Sequence, residues 1–140
     1  MSSIKMEGNP AFERIPPWAK AKLRPQAIEM IQKVFDWVET ECVPAEPIMK
    51  AQLDKGGRWK TPPLMHELRK KAKAAGLFNI FLPNHFKESP GLTNLEYSCC
   101  AEIMGRCYWA AQVHDFNHFI QHSDLQIRIT DHELPCSRNR

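Results

Sequence analysis

The 140-residue sequence has no apolar run near the ~20 residues a helix needs to cross a bilayer, so it offers no membrane span. Its opening, MSSIKMEGNP, shows no signal-peptide pattern, and no arginine precedes Arg14, which makes a poor mitochondrial presequence. The closing SRNR is not a peroxisomal SKL-type signal. Localisation is left open, with the cytoplasm as the default. The five cysteines are odd in number and lack CxxC spacing, which argues against a disulfide framework and for reduced thiols. None of the six glycines builds a GxGxxG or GxxxxGK[ST] phosphate cradle, and the one pair, Gly56-Gly57, reads as a turn. Charge of one sign is also scarce. The net charge is +3, and the short basic run Arg69, Lys70, Lys71 and Lys73 reads as the solvated face of a helix, so no nucleic-acid domain is indicated. Repeats, low-complexity tracts and paired strand patterns are missing.

What is present is an apolar fraction of 43%, enough for a core, in a chain sized for one domain. The pattern predicts an all-α fold. Residues 1–23 are interrupted by Pro10, Pro16 and Pro17 and read as a loosely ordered lead-in, although Phe12, Ile15 and Trp18 could pack. A first helix from about Pro25 to Cys42 carries Ala27, Ile28, Ile31, Val34, Phe35, Val38 and Cys42 on one face; Pro44 and Pro47 end or kink it, and more helix follows around Ile48 to Leu53. A second helix is predicted from about Pro62 to Ala75, capped by Thr61 and stopped by Gly76, with Leu64, Met65, Leu68, Ala72 and Ala75 buried. A third starts at a capping box, Thr93 with Glu96, and presents Tyr97, Ala101, Met104 and Tyr108, with Cys100 and Ile103 beside them. Gly105 either ends or weakens it. Between the second and third helices, GLFNIFLPNHF fits neither helical nor strand period. It reads as a buried crossover in which Leu77, Phe78, Ile80, Phe81 and Leu82 plug a gap.

The stretch LMHELRKKAKAAGLFNIFLPNHF…GLTNLEYSCCAEIMGR, Leu64 to Arg106, resembles the N-terminal helical domain of acyl-CoA dehydrogenases, and VFDWVETECVPAEPIMKAQLD resembles that family's first long helix. The likeness runs from about Val34 to Val113. It implies a helical bundle at residues 24–113, a lead-in at 1–23 and a non-family tail at 114–140. It further implies FAD as cofactor, acyl-CoA as substrate, and a reaction that passes a hydride from the β-carbon to flavin while a carboxylate takes the α-proton, as in fatty acid oxidation. That base usually comes from a C-terminal domain, and the flavin sits mainly between the middle and C-terminal domains. After Val113 the sequence departs from the family pattern, so the expectation is a truncated member, inactive as this isolated chain. No catalytic or cofactor-binding residue is transferred to it.

The remaining polar candidates have plainer readings. Glu96 is a cap. Glu102 suits a salt bridge with Arg106 at the four-residue step better than a base. Cys99 and Cys100, without basic neighbours, read as small buried residues, and Trp18, Trp37, Trp59 and Trp109 as packing anchors. The one metal-like pattern is His114, His118 and His122 at four-residue steps, with Asp115 and Asp124 nearby and Cys107 or Cys136 in reserve. Two further function classes therefore stand beside the family reading, a helical interaction module and a small metal-binding helical protein. An apolar face left open is expected to favour self-association.

Overall fold

A computed structural model describes residues 4–56 and 60–114, and among these there are helices and turns but no strand. The all-α expectation holds. A 3-10 turn at Pro10–Phe12 and a one-turn helix α1 (Pro17–Lys20) lead into a long rod. The rod consists of α2 (Pro25–Trp37), a π-helical turn (Val38–Cys42) and α3 (Val43–Gly56). Helices α4 (Pro63–Ala74), α5 (Asn94–Met104) and α6 (Ala110–His114) follow. Helix α5 lies along α2, α4 lies against α3, and α6 packs on α4 and α5.

Pro25 sits in the first turn of α2, where a missing N–H leaves nothing unpaired. From there Ala27, Ile31, Val34, Val38, Cys42, Ala45 and Met49 are buried at steps of three and four, with Ile28 and Phe35 half-buried beside them. The helix does not end at Pro44 or Pro47, contrary to one sequence expectation; it runs through both. Proline at 44 cannot donate to the Thr40 carbonyl and its ring crowds that carbonyl. The wider π turn, closed by the Val43 N–H on the Val38 carbonyl, accommodates this one turn earlier. Thr40 Oγ1 also donates to the Asp36 carbonyl at 2.7 Å.

Helix α4 begins one residue later than its sequence suggests. Pro62, forced toward extended backbone by the proline after it, is the N-cap in place of Thr61. The Leu64 N–H is met from α3 by Gln52 Oε1 at 3.0 Å. At the other end Gly76 takes a φ of 72°. Leu77 N–H then bonds to the Ala72 carbonyl at 2.9 Å and Gly76 N–H to the Lys73 carbonyl at 3.2 Å, a Schellman closure with Leu77 and Ala72 both buried.

That closure aims the crossover. Leu77, Ile80 and Leu82 are buried, while Phe78 and Phe81 are half-buried. Asn79, at a φ of 62°, supplies the left-handed step that lets the chain turn between them, a conformation asparagine tolerates. The predicted plug is present as a run of turns. On α5 the buried face is Glu96, Cys99, Cys100, Ile103 and Met104, continued by Cys107. Of the predicted stripe Met104 is buried, as are Cys100 and Ile103 beside it, whereas Tyr97 and Ala101 are half-buried; the helix closes at Gly105, so helical spacing does not reach Tyr108, which is 65% exposed. In the lead-in, Ala11, Phe12, Ile15 and Ala19 join the core and Asn9 donates to Gln32 at 2.6 Å, while Trp18 stays exposed. Of the other tryptophans Trp109 is buried, Trp37 is half-buried and Trp59 lies outside the described residues.

Ile80→Ala is expected to lower the unfolding free energy of the 140-residue chain by ~2–4 kcal/mol in urea titrations. Phe86→Ala, at the exposed end of the same segment, should cost under ~1 kcal/mol.

Candidate functional site

The densest polar arrangement lies where α5 begins. Thr93 Oγ1 accepts from Glu96 N–H at 3.3 Å, and Glu96 Oε2 accepts from Thr93 N–H at 2.8 Å, completing the predicted capping box. Glu96 does more than cap, however. Its carboxylate is 1% exposed and accepts from Arg24 Nε at 2.7 Å, Arg24 Nη2 at 2.5 Å and the Arg24 backbone N–H at 3.3 Å. Four donors therefore occupy the roughly four lone-pair sites of a carboxylate. The Arg24 guanidinium, aided by the Thr93 and Arg24 backbone donors, holds the Glu96 pKa down at about 2 against the burial that would raise it. Arg24 Nη2 also donates to the Gly91 carbonyl at 2.7 Å, and Gln26 Nε2 donates to the Pro90 carbonyl.

A short way along α5, an open groove of about 330 Å³ runs between residues 10–15, the end of the α2 segment and α5. A second hollow of about 270 Å³ adjoins it, sharing Arg14, Ile15, Cys99 and Glu102, with exposed Trp18 on its wall. The expected Glu102–Arg106 pair is absent. Glu102 meets Arg14 at 3.4 Å, and Arg106 meets Glu39 at 2.6 Å while lying 5.5 Å over the Phe35 ring. Because α5 stops at Met104, Arg106 leaves the helix path and reaches the rod. Both partners in the Arg14–Glu102 pair are largely exposed, so that contact contributes little.

The cysteines behave as small core residues. Cys42, Cys99, Cys100 and Cys107 are buried free thiols. Burial pushes Cys42 and Cys100 up to about 12, and raises Cys99 and Cys107 as well. In the basic run, Lys70, Lys71 and Lys73 are exposed, Lys71 pairs with Glu41 at 2.8 Å, and Arg69 donates to the Gln112 carbonyl at 3.1 Å. Among the described residues no group of three His, Cys, Asp or Glu is placed to hold a metal ion. His118, His122, Asp115, Asp124 and Cys136 lie outside the described residues, as does the side chain of His114. Among the described residues no helix is long and apolar enough to cross a membrane.

FAD would require clustered donors for its pyrophosphate. At the cap of α5 the Glu96 N–H is taken by Thr93, and at the start of α4 the Leu64 N–H is taken by Gln52. The positive-φ glycines, Gly8, Gly76 and Gly91, sit in separate turns.

Fold and site together define a helical layer braced at one point by the Arg24–Glu96 pair. The chain is 34% identical over 95 residues to mouse (Mus musculus) acyl-CoA dehydrogenase family member 10, covering 65% of this chain and 9% of that protein. It is 28% identical over 137 residues to the probable acyl-CoA dehydrogenase IBR3 of Arabidopsis thaliana, covering 79% of this chain and 16% of that protein. To chicken (Gallus gallus) acyl-CoA dehydrogenase family member 11 it is 35% identical over 89 residues, 61% of this chain and 11% of that protein. No protein-family model and no solved structure matches it. The chain belongs to the acyl-CoA dehydrogenase family, and it spans between 9% and 16% of the length of these relatives.

Arg24→Ala leaves the buried Glu96 carboxylate with only two backbone donors and is expected to lower the urea midpoint; adding Glu96→Gln should recover part of that loss in a double-mutant cycle. Because the folded pKa of Glu96 is below its ordinary 4.5, the pair's stabilisation is complete above that pH and fades as pH falls toward about 2. The wild type should therefore lose on the order of 2 kcal/mol more than the Arg24→Ala/Glu96→Gln variant across that window, read from urea midpoints. Thiol titration with Ellman's reagent at pH 8 should leave the four buried cysteines unreacted until the protein is denatured.

Proposed function

We propose that this chain is the N-terminal helical part of an FAD-dependent acyl-CoA dehydrogenase, an oxidoreductase acting on the CH–CH bond of acyl-CoA thioesters, and that the isolated 140 residues do not carry out the reaction. On this reading residues 24–113 are the family-like bundle, 1–23 its lead-in and 114–140 a tail of separate character. The carrying observation is the state of Glu96. It is the one buried acid among the described residues, and all of its acceptor sites face donors of its own chain. It is a brace and has no free lone pair for a substrate α-proton. Glu102 is exposed and paired with Arg14. On this reading the base and the flavin contacts come from polypeptide other than residues 24–113.

A second reading, a helical interaction module, has its own support. Val43, Ile48 and Leu53 on α3 are exposed, Ile48 by 55%. Covering such side chains would drive association of this chain with itself or with a neighbouring domain.

Three experiments test these readings. The purified chain, incubated with FAD and gel-filtered, should elute colourless and should not reduce an artificial electron acceptor with saturated acyl-CoA; a stoichiometric yellow complex would overturn the inactivity. Grafting the aligned residues of this chain into mouse family member 10 should preserve flavin content if the bundle is a working family domain, and loss of flavin would count against it. Light scattering should show oligomers that Ile48→Lys shifts toward monomer. A wild type that stays monomeric and binds no hydrophobic dye would remove the self-association reading.

A further inference from the structure

We draw no further inference here: the strongest candidate, the set of exposed apolar side chains Val43, Ile48 and Leu53 of α3, lies on different sides of that helix, and nothing in the structure shows what covers any of them.

Discussion

The bidentate contact between Arg24 and Glu96 is the constraint on which the rest of the arrangement depends. It joins the residue that opens α2 to the first turn of α5, 72 positions later, and through the Gly91 carbonyl it also fixes the approach to that turn. A buried carboxylate with one donor would weaken the core. With four, it fixes the register between α2 and α5 at this point. Gln26, two residues further along, holds the neighbouring Pro90 carbonyl, so the loop before α5 is gripped at consecutive residues.

The crossover from α4 to α5 works by a different physics. Its first step is forced by backbone geometry at Gly76, and its packing is apolar, through Leu77, Ile80 and Leu82. Full burial of each large side chain contributes ~1.5–3 kcal/mol, so this irregular segment matters as much as a helical turn. Helix ends and plug together account for a packed core without any sheet among the described residues. Polar bonds fix direction, and apolar burial supplies most of the driving force.

Much of this was legible because the signals were local. The Thr93–Glu96 box, the Gly76 stop and the apolar steps of α2 each involve residues within one or two turns of each other, where spacing alone predicts contact. The partner of Glu96 was not legible, since nothing near it in sequence points to Arg24. Glu102 and Arg106 show the opposite error. Their four-residue step presupposes a helix that continues, and α5 closes before it reaches Arg106. Gln52 on the Leu64 donor is likewise a contact between elements that neither segment announces by itself. The family was readable from the combined Gly76–Pro83, GLTNLEY and EIMGR patterns, whereas the role of the acid within them required coordinates.

The π turn at Val38–Cys42 has a consequence for how this rod tolerates change in length. One surplus residue in a helix rotates everything beyond it by about 100°, one residue's share of a 3.6-residue turn. The turn falls where the rod exchanges neighbours, α5 below it and α4 above it. Deleting one residue from this turn would therefore rotate the buried Ala45 and Met49 of α3 by about 100° relative to the buried face of α2.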